Sequence, residues 1–390
     1  MILQSDFPPD IRVSKEINAL SQAGYEVFLL CNNKAQRSRK EKTKALTILR
    51  LRNYSFFPKK LNTLLNVPIP VNPIWAWGII RAMLKYRINA LHVHDLPLAL
   101  LVLIIGKVLH RPVVFDIHEN YPAALKVWGK KGLLPGLFRN PGIAAHIEKV
   151  CIKYSSSIVV VIDEHKWYLD EKGLQYNRIY IVGNTVDHDT YDKIDVNREI
   201  VQKYKNNYVL MYVGYLSPER DLETAIRSLS FLATKIPNTR LVLVGDGIAK
   251  EQLLNVAEKE NVLPMIEFTG WVDFTITPSY ITSSDICIIP QPSNDLIDNG
   301  VPHKLFQYML LEKPVVVSDA KALARIVGET QCGEIFKSNS PQSFANAVLR
   351  IHKSNKKYGQ NGKQAVLKKY NWQESSKELI NMYDELTSTH

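Results

Sequence analysis

Two histidine–carboxylate pairs close apolar runs in the first third of the chain. Ala90-Leu91-His92-Val93 leads into His94-Asp95, and Val113-Val114-Phe115-Asp116-Ile117 leads into His118-Glu119. In a doubly wound α/β sheet, ligands bind at the carboxyl ends of the strands. Two such pairs ending neighbouring strands therefore point to a binding or acid–base site, where a lone histidine would read as structural. A second candidate is Asn299–Asp319, NGVPHKLFQYMLLEKPVVVSD. Gly300 and Pro302 punctuate a loop. Leu305, Phe306, Met309 and Leu310 recur at helical spacing. Lys313-Pro314 ends the helix, and Val315–Val317 reads as a buried strand. A glycine-containing loop feeding a helix N-terminus presents unpaired N–H groups and the positive end of the helix dipole, an anion site suited to a diphosphate. Taken alone, the stretch is an ordinary loop–helix–strand unit of an α/β core.

The elements that must position these residues are legible as alternating strands and helices. Ile2-Leu3 begins a short strand, Asp6–Asp10 is a loop, and Ile11–Gln22 carries Val13, Ile17 and Leu20 on one helical face with Gly24 as the C-cap. Tyr25–Leu30 is the next strand, which completes a Rossmann-like unit. No G-x-G-x-x-G follows the first strand, so a dinucleotide dehydrogenase has little support. Ile158–Ile162 and Ile179–Val182 are further strands, and the polar run His188–Lys205 reads as a linker. A second α/β series starts at Tyr208, with strands entering loops at Gly214 and Gly245, then Ile266–Val272 and Ser284–Pro290.

A length of 390 residues suggests two domains, and 46% hydrophobic with 22% charged residues is a soluble globular composition. The net charge of +11 favours anionic partners. The four cysteines form no C-x-x-C pair, which argues against a zinc site or disulfide framework and fits a reducing cytoplasm. The start Met1–Asp6 does not read as a signal peptide, and the apolar run Leu98–Ile105 is too short to span a bilayer. Lys34–Lys60 is rich in lysine and arginine, and Leu61–Trp77 adds Trp75 and Trp77 among leucines and prolines. Lys126–Asn140, KVWGKKGLLPGLFRN, is a second basic and apolar loop. Both read as patches facing an anionic membrane surface or an acceptor. Nothing matches a nucleic-acid-binding motif.

Several segments resemble the family 4 glycosyltransferases. DIRVSKE resembles that family's D-x-R-V-x-K-E, VHD and DIHENYP its H-D and D-x-H-E, and GVPHKLFQYMLLEKPVVVSD its P-x-K-L-x-E-Y-M-x-x-x-K-P-V-V. The ordered series YVG, LVGDG, FTGWV and SDICIIP is similar to the family's C-terminal half. The resemblance implies an α/β GT-B fold: two Rossmann-like domains facing across a cleft, 1–190 for the acceptor and 204–370 for the nucleotide sugar, with a C-terminal helix, 371–390, crossing back. It implies retaining, metal-independent transfer of a sugar from a nucleoside diphosphate to a lipid-linked or polysaccharide acceptor, in the cytoplasm or at the inner face of the plasma membrane. No cofactor is implied, and no D-x-D at a strand end suggests a metal. His118 and Arg220 become the catalytic candidates. Asp10, Arg12, His94, Asp95, Glu119, Gly214, Gly245, Asp298, Asn299, Gly300, Val301, Pro302, Lys304 and Gln307 become substrate-binding candidates.

The sequence departs from the family at three positions. The family clamps the diphosphate with an arginine and a lysine after the first C-domain strand; Arg220 takes the second place, but Tyr215 takes the first, and Lys304 is the nearest replacement. The family's paired glutamates fall on Asn299 and Gln307, with Asp298 as a source of the lost charge. These departures keep two alternatives open: a non-catalytic sugar-nucleotide binder or partner subunit, and a sugar-nucleotide 2-epimerase on the same fold.

Overall fold

The short apolar runs become the strands of two separate sheets. The computed structural model describes residues 1–51, 72–128, 140–173, 178–191 and 194–388. These divide into one unit of Met1–Val182 with Ser375–His390, and a second of Gly183–Glu374.

In the first unit the strands are β1 (Ile2–Asp6), β2 (Val27–Asn32), β3 (Lys40–Lys42), β4 (Leu46–Arg50), β5 (Leu91–His94), β6 (Val113–Ile117), β7 (Ser157–Val160) and β8 (Ile179–Ile181). Their order is β3-β4-β2-β1-β5-β6-β7-β8, parallel except for the β3–β4 pair. The direction of winding reverses between β1 and β5, which opens a crevice at the carboxyl ends of these strands. Parallel strands are covered on both faces, which is why β6 and β7 read as continuous apolar runs. The helix Leu96–Val108 is mostly buried, with Ile104, Lys107 and Val108 exposed, and Trp75, Phe115 and Ile152 are fully enclosed. Each such side chain contributes roughly 1.5–3 kcal/mol by leaving water.

β1 is longer than its two apolar residues suggest. Its polar end is held because Asp6 accepts from the N–H groups of Lys34 at 3.0 Å and Ala35 at 2.7 Å. Two residues of the basic, aromatic stretch also turn out to be structural. Trp75 is core, and Arg50 is buried, donating to the Phe7 carbonyl and pairing with Glu41 at 2.8 Å. The rest of that stretch from 52 to 71, and residues 129–139 of the second basic loop, lie outside the described residues.

The second unit holds β9 (Tyr208–Val213), β10 (Thr239–Val244), β11 (Ile266–Gly270), β12 (Ile286–Ile289), β13 (Val315–Ser318) and β14 (Gly333–Phe336). The order β11-β10-β9-β12-β13-β14 is wholly parallel and reverses between β9 and β12. The run 188–205 is not a linker. It contains helices His188–Tyr191 and Arg198–Lys203, buries Tyr191 and Tyr204, and docks where the Asn197 N–H donates to Ser279 Oγ at 2.9 Å. Asn371 bridges to Val186, so 371–374 also pack in this unit, and the helix Trp372–Ser388 contributes to the first unit only from Ser375 onward.

Candidate functional site

In the second unit, side chains gather at the carboxyl ends of β9 and β12. Gly214 follows β9 with φ +132, and a Cβ there would lie 2.8 Å from Lys304 Nζ. Gly245 follows β10 with φ +141, and a Cβ there would sit 2.1 Å from the Gly214 carbonyl oxygen. Only glycine fits this conformation and this approach. Lys304 Nζ lies 3.6 Å from the centre of the Tyr212 ring. Arg220 closes a 3-10 turn, and its Nη1 donates to Gln291 Oε1 at 2.6 Å. Burial, then the charge of Arg220, pushes the Lys304 ammonium well below its ordinary pKa. Neither cation pairs with a carboxylate among the described residues.

The loop before Lys304 is more self-contained than its sequence suggests. Asp298 is not a charge held out to a sugar. Its Oδ2 accepts from Ser293 Oγ at 2.9 Å and its Oδ1 from the Lys321 N–H at 3.1 Å, so it braces the start of the next helix. Asn299 donates through Nδ2 to the Asp295 carbonyl at 2.7 Å. The Gly300 N–H donates to Ile297, and Val301 is buried. After Pro302, the N–H groups of Leu305, Phe306 and Gln307 already donate to the carbonyls of Pro302 and His303. The helix N-terminus therefore offers an anion fewer donors than expected. Gln307 lies in a helix buried from Leu305 to Leu310, beside Tyr191, and not on an open face.

In the first unit, Asp10 caps the helix Ile11–Gln22. It accepts from the N–H groups of Arg12 and Val13 and pairs with Arg12 Nη2 at 3.1 Å. Arg12 lines a cavity of about 420 Å³ with Lys34, His94, Asp95 and Glu119. Asp95 has φ +64 and ψ 163, a strained conformation for a residue with a side chain. Its Oδ1 accepts from the His118 N–H at 3.4 Å. Burial, then the Asp95 charge, pushes the Glu119 carboxyl up to about 7. His94 and His118 stack with ring centres 5.6 Å apart and share Asp116 Oδ2, each at 2.8 Å.

Sequence reasoning singled out the strand-end histidines but assigned no role to Asp116, Glu16, His92, Tyr383 or Gln291. Two of these carried a signal. Asp116 is a carboxylate inside an apolar parallel strand, and Glu16 sits on the same helical face as Val13, Ile17 and Leu20.

Residues 12–190 match Glycosyltransferase Family 4, and residues 193–368 match Glycosyl transferases group 1. The two matched segments together span nearly the whole chain and are similar to the two domains of GT-B glycosyltransferases. A glycosyltransferase of Methanocaldococcus jannaschii, itself uncharacterised, is 26% identical over 247 residues; the match spans 62% of this chain and 62% of the relative, less than two thirds of its length. Among solved structures, sucrose-phosphate synthase from Thermosynechococcus elongatus superposes with a TM-score of 0.77 at 16% identity, covering 99% of this chain and 95% of its own. Anabaena HepE, in complex with UDP and glucose, gives 0.72 at 15% identity, covering 98% of both chains. At these identities the likeness shows the fold.

One grouping among the described residues has side chains of metal-ligand type. Glu16, His94, Asp116 and His118 offer atoms within 4.8 Å of one another. The contacts of Asp116 with the imidazoles have hydrogen-bond lengths, and coordination would require their shared protons to leave. The grouping therefore reads as a proton-bearing network. Among the described residues, no helix is long and apolar enough to cross a membrane.

Proposed function

We propose that the protein is a retaining, metal-independent glycosyltransferase that moves a sugar from a nucleoside diphosphate sugar to a lipid-linked or polysaccharide acceptor. The observation that carries this reading is the pair Arg220 and Lys304, two cations without a carboxylate partner among the described residues, at the switch point of a parallel sheet beside Gly214 and Gly245. As the glycosidic bond breaks, the leaving diphosphate gains charge, and cations already in place stabilise it without reorganisation. Lys304 stands in for the family arginine that Tyr215 replaces. Tyr215 itself is 57% exposed. His118, with the cavity beside Arg12, Asp95 and Glu119, serves the reacting sugar and the acceptor hydroxyls. HepE binding UDP and glucose supports a nucleotide-sugar donor.

A membrane-facing role rests on the described part of the basic stretch. Arg39, Lys40, Arg81 and Lys85 line one hollow with Trp77, which is 68% exposed. Such a surface suits anionic lipid at the inner face of the plasma membrane. A second reading, a sugar-nucleotide binder without turnover, comes from the replacement of the family's paired glutamates by Asn299 and Gln307. Calorimetry with a panel of nucleoside diphosphate sugars, followed by donor hydrolysis with and without a lipid acceptor, separates the two. Binding with turnover supports the transferase, and binding without turnover supports the partner subunit. The absence of binding by the folded protein refutes both. The anomeric configuration of the product, read by NMR, tests retention.

A further inference from the structure

Asp116 lies in β6 among Val114, Phe115 and Ile117, all buried. An ionised carboxylate in such a place needs hydrogen-bond donors. Three imidazoles converge on its Oδ2: His118 Nε2 at 2.8 Å, His94 Nδ1 at 2.8 Å and His92 Nε2 at 3.3 Å. A carboxylate only accepts, so each of these ring nitrogens carries a proton. The remaining ring atoms then follow. Burial holds His92 and His94 neutral, His94 down to about 3. His92 Nδ1 is therefore a lone pair, and the Tyr383 hydroxyl 2.8 Å away donates to it. Burial opposes a charge on His118, but Asp116 outweighs it and raises the group to about 9. Both His118 nitrogens thus hold protons at neutral pH. Nε2–H is spent on Asp116, while the buried Nδ1 has no hydrogen-bond partner.

We propose that Asp116 is a positioning residue that presents His118 Nδ1–H to the substrate as an oriented hydrogen-bond donor, and that Tyr383 of the C-terminal helix locks this arrangement through His92. The chain Tyr383–His92–Asp116–His118 makes the last helix part of the site and not only a brace. What Nδ1–H touches, an oxygen of the sugar nucleotide, rests on the glycosyl-transfer reading; the chain of hydrogen bonds does not. The groups facing His118 come from every neighbouring element. They are Asp10, Arg12 and Glu16 of the first helix and its cap, His92 and His94 of β5 and Asp95 after it, Asp116 and Glu119 of β6 and its end, and His165 of the helix Asp163–Glu171. Burial, then Asp116, keeps Glu16 protonated, so it does not compete as a second anion.

The test is nitrogen-15 NMR of the histidine rings in the substrate-free protein, for the wild type, Asp116→Asn and Tyr383→Phe, beside donor turnover as a function of pH. In the wild type, His118 should titrate near 9, against its ordinary 6.5, and His92 should be the Nε2–H tautomer. Asp116→Asn should return His118 to the ordinary range or below and lower kcat by about tenfold or more at pH 8, with KM moved less. Tyr383→Phe should leave His92 as the Nε2–H tautomer, which Asp116 fixes, shift the Nδ1 resonance as it loses the Tyr383 hydroxyl, and lower kcat a few-fold. Wild-type titration near 6.5, no change on Asp116→Asn, or a stoichiometric divalent metal in the purified protein would overturn the proposal. If Asp116→Asn does not fold, an unchanged His92 Nδ1 resonance with unchanged kcat in Tyr383→Phe overturns it. If the expected spectra appear but no donor turns over, the network stands and the glycosyl-transfer reading falls.

Discussion

Lys304→Met should move function and stability in opposite directions. The Lys304 ammonium has no carboxylate partner among the described residues, shares its surroundings with the Arg220 charge, and gains only the face of the Tyr212 ring at 3.6 Å. Because its pKa is depressed in the folded protein, the charged form costs stability at every pH below that depressed value. Replacing an enclosed charge by an apolar side chain of similar length typically returns about 1–4 kcal/mol. The lost ring contact takes back about 0.5–2 kcal/mol. A net gain of about 1–2 kcal/mol is expected near pH 7, seen as a rise of several degrees in melting temperature. The gain should shrink as pH climbs towards 10.5, the ordinary lysine value, where the unfolded chain also loses its proton. Donor turnover should instead fall by about 100- to 1000-fold, the usual loss for one pre-placed contact to a developing charge. Thermal melts at two pH values and donor-hydrolysis kinetics measure both. A variant that is less stable than the wild type and still turns over donor would refute the reasoning, since Lys304 would then serve the fold alone.

Arg220→Ala should lower turnover about a hundredfold, because it removes the second charge and leaves Gln291 without its donor; unchanged kinetics would take Arg220 out of the site. Gln307→Glu should destabilise the fold by about 1–3 kcal/mol at neutral pH in denaturant melts, because it encloses an anion beside Tyr191; a variant as stable as the wild type would place 307 on an open face. Glu148 is held by burial at a pKa of about 7 against an ordinary 4.5, so its penalty is absent below 4.5, grows as pH rises, and is complete above 7. At about 1.4 kcal/mol per pH unit that sums to about 3 kcal/mol, so Glu148→Gln should stabilise the protein more at pH 8 than at pH 4.5, read by denaturant melts. Binding to anionic vesicles should weaken as salt rises and fail on neutral vesicles; equal binding to both would refute surface docking through Arg39, Lys40, Arg81 and Lys85.

The sequence made the strand frame legible wherever strands are buried on both faces, as in β6, β7, β9 and β12. It did not reveal β3, Lys40–Lys42, whose three residues are all exposed and polar. It misplaced 188–205 because composition there is polar, while two spaced tyrosines do the packing. The strand-end histidines were readable from position alone. Their partners were not, because Tyr383 meets His92 across 291 residues and no local pattern encodes such a meeting. Asp298 misled in the opposite way. Adjacency to Asn299 suggested a shared role, but a carboxylate flanked by Ser293 and the start of the Lys321 helix satisfies itself locally.

The amide at 299 shows how a departure from a family pattern can carry its own physics. A glutamate there could only accept. Asn299 instead donates through Nδ2 to the Asp295 carbonyl at 2.7 Å, a contact in which a carboxylate would set oxygen against oxygen. Its environment is therefore matched to an amide and is not a carboxylate site that has lost its charge. The same holds at 307, where a neutral group is buried beside the Tyr191 hydroxyl without the cost of an enclosed anion. With both positions neutral and Asp298 engaged elsewhere, Lys304 and Arg220 meet no nearby anion of the loop that would neutralise them. Their uncompensated charge is then available to the diphosphate, and this arrangement favours an active donor site over a decayed one.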